Sequence, residues 1–340
     1  MKRILYTLAA LLGMATTSCE HKDLCYNHPE HSHKYHINVI ADYRYDWEEH
    51  YGGPDWKANW PTGYTPYDDL RPGKPAGLRV VNYNTEGNSN THNIAPDGGV
   101  VTLYEGVNDI LFYNNDTEYI LFSRIDDANG ATTRATTRSR TRSTYMGSKY
   151  ANEGEETMTP PDALFANYYE DYYVEKVVQP TDVEVTLQPL VFTYKIRYEF
   201  AEGLEYVSLV RGALSGMARS VLMNTGETSE EAATLLYDCE KTEWGARALV
   251  NSFGIPAFPN ANYPSRAEGK HALNLEVMLK NGKMLTFDFD VTDQVQAQPH
   301  GGVIVVKDIV VKAEEGTQAS GGFDVNVSDW GPYQDISLPL

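Results

Sequence analysis

Five of the nine histidines, His21, His28, His31, His33 and His36, fall within one short stretch near the N-terminus. Imidazoles at that density can hold Zn²⁺, Ni²⁺ or Cu²⁺. The tract offers no fixed scaffold to set a coordination geometry, so it reads as a polar tether and no metal site is expected. A second cluster lies at 132–143, TTRATTRSRTRS, where Arg134, Arg138, Arg140 and Arg142 stand without a single acid in a chain of 28 basic and 47 acidic residues. Such a run reads as an exposed basic loop: a solvated surface, a contact for an acidic partner, or a cleavage site for an arginine-specific protease. A third group, Trp47, Trp56, Trp60 and Tyr64, sits in a long stretch rich in Tyr, Pro, Gly and Asp. Flat aromatic faces there could stack on sugar rings, or equally pin the loop onto a sheet by burial. Nowhere is there a G-x-S-x-G, H-E-x-x-H, G-x-G-x-x-G or P-loop pattern. Acid pairs brought together only by folding leave no spacing to read. The expectation is a protein without catalytic residues and without a cofactor.

The N-terminus carries a different kind of chemistry. Lys2 and Arg3 precede an apolar run from Ile4 to Met14, followed by Ala15, Thr16, Thr17, Ser18 and Cys19. Charged start, short apolar segment and small residues make a secretory signal. The run is about half of the ~20 residues that span a bilayer, so removal is expected rather than a permanent transmembrane helix. A cysteine directly behind the small residues resembles a bacterial lipobox, with Thr16 where Leu is usual, and the expectation is cleavage after residue 18 and acylation of Cys19. Several acyl chains would hold the protein firmly, at ~0.8 kcal/mol per buried CH₂. The charged Glu20–Asp23 segment behind Cys19 resembles the export tags that Bacteroidetes lipoproteins carry there, which implies display on the outer face of the outer membrane.

Composition narrows the partners. A net charge of −19 argues against nucleic acid, whose phosphates need clustered positive charge. Tyrosine is abundant at 24 residues, against 10 Phe and 5 Trp; its apolar body and polar tip suit half-buried strands and contact surfaces alike. With Cys19 assigned to lipid, Cys25 and Cys239 remain, and an oxidising exterior would permit a bridge between them.

The elements that must position these groups read as strands. Apolar residues alternate over Ile37–Tyr43, and strand-like runs recur at Leu78–Tyr83, Gly99–Leu103, Val107–Tyr113 and Tyr119–Ile125, punctuated by Gly, Asn and Asp. The run ALFANYYEDYY after Pro160 and Pro161 is the one short helix expected. Beyond it, Val183–Leu187, Leu190–Phe200, Tyr206–Leu214, Leu273–Leu279, Met284–Val291, Val303–Val311 and Gly322–Val327 read as strands with one face buried and the other wet. Asn281-Gly282 between two of them signals a hairpin. The fold class expected is all-β, with a signal peptide over 1–18, a lipidated flexible tether over 19–35, and two β-sandwich domains over 36–181 and 182–340.

From Thr186 onward the sequence is similar to a known group. LQPLVFTYKIRYEF, VSLVRGALSGMA, NLEVMLKNGKMLTFDFDVTDQV, GGVIVVKDIVV and FDVNVSDW resemble the second domain of fimbrillin-type surface lipoproteins of Bacteroidetes, the FimB and Mfa2-like fimbrial anchor and minor-subunit group. That resemblance covers about half of the chain well and the rest in outline. It implies two tandem transthyretin-like β-sandwiches and a pilus-like assembly in which a strand from one subunit completes a sheet of the next. Fimbrial subunits of the same family and the membrane would be the partners. In shaft subunits of such pili an arginine-directed cut frees the N-terminal strand. Here no arginine lies between Cys19 and Ile37, the first being Arg44, which favours a chain that stays tethered as an anchor. The alternative is a stand-alone surface lipoprotein that binds glycan or a host protein through the aromatic loop.

Overall fold

A computed structural model describes residues 34–45, 72–125, 134–140, 154–177, 179–258 and 270–317. Among them the first ten strands are β1 (Lys34–Tyr43), β2 (Leu78–Asn84), β3 (Ser89–Ile94), β4 (Gly98–Tyr104), β5 (Gly106–Asn114), β6 (Ile120–Ser123), β7 (Arg134–Thr137), β8 (Glu156–Met158), β9 (Phe165–Val174) and β10 (Thr181–Pro189). They are followed by β11 (Phe192–Glu202), β12 (Val207–Ala218), β13 (Ser220–Leu222), β14 (Ala232–Asp238), β15 (Glu240–Lys241), β16 (Gly245–Ser252), β17 (Ala272–Leu279), β18 (Met284–Asp290) and β19 (Gly302–Val310). Two short helices, α1 (Thr292–Gln296) and α2 (Ala313–Thr317), flank β19. The architecture is all-β and sandwich-like.

In β1 the period-2 pattern decides which side turns inward. Tyr35, Ile37, Val39, Ala41 and Tyr43 are buried while Lys34, His36, Ile40 and Asp42 face out. β1 lies between β10, to which it runs parallel, and β4, to which it runs antiparallel. The full order is β3-β2-β5-β9-β10-β1-β4. β10 meets β9 over two residue pairs only, Gln188 with Ala166 and Pro189 with Phe165. The sheet therefore bends there, and the inward side chains of its two parts share one core that includes Ile37, Val80, Leu103, Phe112, Phe165 and Val185. β1 begins at Lys34, within the stretch expected as tether. The expected domain division at 181/182 falls at the start of β10, a strand of this first sheet.

The second core lies between β15-β16-β11-β19 and β18-β17-β12-β14-β8. Tyr194, Ile196 and Tyr198 of β11 and Leu273, Leu275, Val277 and Leu279 of β17 are all fully buried in it, as their alternation predicts. The expectation that the opposite faces are wet is corrected. Lys195 and Arg197 are 2% and 3% exposed, and Asn274 and Glu276 are 1% and 3% exposed. These strands are central, so their outer side chains are crowded from both sides; Arg197 is covered by the Trp244 ring 3.6 Å from its guanidinium and bonds Glu199. The Asn281-Gly282 hairpin forms as expected between β17 and β18, with Gly282 at φ 82°.

Two other expectations fail for identifiable reasons. The run after Pro161 is not a helix but β9, paired with β5 from Gly106–Val174 to Tyr113–Ala166; four tyrosines and a Phe prefer a pleated, half-buried surface. The arginine run is not a loop where it is described: β7 is the middle strand of a three-stranded sheet, β13-β7-β6. Ala135 and Thr137 point inward at 0% and 2% exposure, and Arg134 and Arg138 point out. β-branched threonines between the arginines allow the pleat. β6 precedes the expected division and β13 follows it, so β7 stitches the two halves through a third core containing Tyr83, Tyr113, Ala135, Leu164, Val221 and Phe253.

A tight turn sets β4 against β1. Gly98 has φ 120°, and a Cβ there would overlap the carbonyl oxygen of Val39. Gly98→Ala combines backbone strain with that overlap. A loss of ~2–3 kcal/mol is expected in urea unfolding, and a change below ~0.5 kcal/mol would show that the close approach is not made.

Candidate functional site: open and closed sheet edges

The residues singled out by sequence are unevenly placed. Cys19, Trp47, Trp56, Trp60, Tyr64 and Arg142 lie outside the described residues, as do Cys25, the other four histidines of the tract and the expected strand at 322–327. His36 is on the outer side of β1, with Nδ1 3.2 Å from Thr102 Oγ1. Among the described residues no three His, Cys, Asp or Glu groups converge to hold a metal, and no helix is long and apolar enough to cross a membrane. At the described start of the aromatic stretch, the Tyr43 and Tyr45 rings pack edge-on against Phe165 at 5.5 and 5.3 Å. The Tyr43 hydroxyl donates to Pro96 O at 3.0 Å, and burial raises its pKa. These two aromatics are used as pins.

Of the described arginines of the run, Arg140 has a structural use. Arg140 donates through Nη1 to Leu236 O at 3.1 Å and lies 3.6 Å from Asp238. Its backbone N–H bonds Thr157 O, and Thr159 N–H bonds Arg138 O. Arg138 and Arg134 remain exposed on the outer side of this ladder. A protease must draw its substrate into an extended cleft, and a segment already paired on both sides resists that.

Among the described residues, groups able to bind a partner chain are the unpaired N–H and C=O groups along sheet edges. Most edges are closed. β3 and β4 end the first sheet on opposite sides, yet the Asn90 amide and the His92 ring reach Thr102 O at 3.3 and 2.9 Å, and Tyr104 OH reaches Ser89 O. β15 has two residues. β8 has three and is covered by the Ser139–Met158 bridge and the Arg140–Thr157 bond. The edge of β19 is occupied by the side chains of Gln294 in α1 and Gln298 just beyond it, described below.

β18 is the longest edge without such cover; the two ends of the three-stranded sheet, β6 and β13, are only four and three residues long. β18 borders β17 on one side, and no strand lies beyond it among the described residues. At the hairpin the Leu279 N–H donates to Lys283 O at 2.8 Å, so bonded pairs recur at Leu285, Phe287 and Phe289. By that alternation Met284, Thr286 and Asp288 turn their main-chain N–H and C=O groups outward. Phe287 and Phe289 hold the strand down, packed against the second core with rings 6.5 Å apart. The result is a seven-residue edge, anchored from below and carrying outward backbone groups. No sequence signal marked it, because openness is a property of sheet order.

A family profile described as a domain of unknown function, DUF5119, matches residues 69–238, half of the chain. A protein named "Putative fimbrium anchoring subunit Fim4B" from Bacteroides ovatus is 22% identical over 318 residues, covering 85% of this chain and 90% of its own. Among solved structures, a "putative adhesin" from Bacteroides ovatus ATCC 8483 covers 82% of this chain and 94% of its own at 18% identity and a TM-score of 0.55, which establishes a shared fold. The fimbrial anchor protein Mfa2 from Porphyromonas gingivalis covers 80% of this chain and 91% of its own at 10% identity and a TM-score of 0.42, too loose a fit to argue from. The resemblance to fimbrial anchor proteins of Bacteroidetes, read from Thr186 onward, stands.

Proposed function

We propose that this chain, which belongs to the DUF5119 family, is a non-enzymatic surface lipoprotein that serves as an anchor or accessory subunit of a pilus-like fibre. It is held in the outer membrane by acyl chains on Cys19, facing the exterior. It joins a neighbouring subunit by accepting or donating a strand. The observation that carries the strand-addition step is the edge of β18, the long edge left without a partner among the described residues. Similarity over 85% of the chain to the protein named "Putative fimbrium anchoring subunit Fim4B" supports the role. We further read the two cores as two tandem transthyretin-like sandwiches, divided after Pro189 except for β8, which joins the second, and locked by β7. The glycan-binding alternative draws no support from Tyr43 and Tyr45, whose rings pack inward.

Thr286→Pro tests the edge. Proline removes an outward donor and is tolerated at such a position on an edge strand. Stability is expected to change by less than ~1 kcal/mol while recruitment of fibre subunits to the cell surface, counted by electron microscopy, falls severalfold or more. A variant that melts normally and recruits normally would remove β18 from the assembly. Cys19→Ala tests the anchor: loss of labelled palmitate and a shift from the membrane pellet to the soluble fraction are expected. Continued labelling in the pellet would place the lipid elsewhere.

A further inference from the structure

Two glutamines one helical turn apart do an unusual job on the edge of the four-stranded sheet. β19 runs parallel to β11, with Ile304 and Val306 alongside Ile196 and Tyr198. On its free side the Val305 N–H donates to Gln294 Oε1 at 2.9 Å, and Gln294 Nε2 donates to Val305 O at 3.1 Å. Two residues back the same exchange repeats. The Val303 N–H donates to Gln298 Oε1 at 2.6 Å, and Gln298 Nε2 donates to Val303 O at 3.0 Å. A carboxamide presents an N–H donor and a C=O acceptor side by side, as a peptide group does, with a second N–H left over. Two of them spaced to meet alternate residues reproduce the bonding of an additional strand.

The clip is held rigidly. Val295 of α1 is fully buried in the second core, and the Tyr194 hydroxyl donates to Gln298 O at 2.8 Å. The Gln298 amide also bonds Gln294 O at 2.9 Å. Gln298 itself is 5% exposed, and it fits only because residue 302 is glycine: a Cβ there would overlap the Gln298 amide. Just beyond the clip the strand stops being a good template. Asp308 takes φ 61°, and the β11–β19 register slips between Tyr198 and Phe200. A bulge of that kind is itself a device against edge pairing.

What the clip covers is hazardous if bare. GVIVV at 302–306 combines high β-propensity with no charge and no proline, the pattern of a self-pairing segment. The occupant it fits is the same strand of a second copy, since two such edges pair antiparallel about a two-fold axis and satisfy each other. We propose that Gln294 and Gln298 form an edge guard, a side-chain stand-in for a fifth strand that keeps β19 from pairing with β19 of another copy. The guard would leave strand exchange to other edges, and it holds whether or not the chain belongs to a fibre.

The test is self-association of the full chain, followed by light scattering across a concentration series. Gln294→Ala/Gln298→Ala is expected to dimerise at a concentration at least about tenfold lower than the unsubstituted chain, equivalent to ~1.4 kcal/mol. Adding Val305→Pro, which removes an outward donor, should return it to monomer. A double variant with native circular dichroism that stays monomeric overturns the proposal, as does a dimer indifferent to Val305→Pro. If the double variant fails to fold, Gln294→Ala alone decides. The Val305 amide should then exchange with solvent at least about tenfold faster while Val303 stays protected, and unchanged exchange at Val305 overturns the guard.

Discussion

Acidification from pH 7 to pH 4 is expected to remove ~3 kcal/mol of stability for each of two buried histidines, His271 and His300. Burial pushes both imidazoles down to about 4. His271 is 3% exposed, and the nearby Asp290 only partly offsets its loss of solvent. The His300 ring lies 4.2 Å from Phe192 and 4.6 Å from Phe258. Unfolded, each ring titrates near ~6.5. Between there and about 4 the unfolded chain binds protons that the folded one refuses, so stability is full above the unfolded value and falls as pH drops through the window. Asp290 acts below it: hydrogen bonds from Thr292 hold its carboxyl under the usual range, so its contribution is lost only as pH falls further. Two such losses together approach the whole stability of an ordinary domain. Urea midpoints at pH 7.5, 6, 5 and 4 measure the effect. His300→Phe, which suits the ring pocket, should remove about half of the pH dependence, and a flat profile for the unsubstituted chain would refute the assignment.

The second large effect concerns the seam. Ala135→Asp is expected to cost ~3–5 kcal/mol, because it places a carboxylate without a cation in an apolar core. Ala135 is fully buried, opposite Val221 of β13 on one side and Phe122 of β6 on the other. Damage there should do more than lower stability. The seam core draws Tyr83 and Leu111 from one half and Val221 and Phe253 from the other, so its loss should split one calorimetric transition into two. Arg134→Ala, one residue away and pointing out, should stay within ~0.5 kcal/mol. Equal melting of the Ala135→Asp variant and the unsubstituted chain would mean the halves are joined some other way.

How much of this was legible in sequence depended on how local its cause was. The alternation of Phe192, Tyr194, Ile196 and Tyr198, and the turn at Gly282, are short-range patterns and were read correctly. FANYYEDYYV has no clean period, being buried at Phe165, Ala166 and Val174 and half-buried or exposed between them, and the decision for strand came from β5 beside it. β8 left no trace because it is three residues long and pairs in parallel with β14, 77 positions later (Glu156 with Ala233). The arginine run was read by charge, whereas its threonines and Ala135 set its fate. Gln294 and Gln298 carry no local signal of their role. Their spacing over TDQVQAQ was visible, but its meaning required knowing that an edge strand lay alongside. The open edge of β18 is likewise a fact of sheet order and had no signature at all.

The position of β1 has a mechanical consequence. Pulling on a tether upstream of Lys34 would apply tension along the axis of β1, which is gripped over seven residue pairs by β10 on one side and seven by β4 on the other. Such a load slides the strand lengthwise, so the rungs of both ladders share the force at once and none can be peeled off in sequence. A cell-surface protein dragged by flow would thus meet its pull in shear, the direction in which a strand between two neighbours yields last.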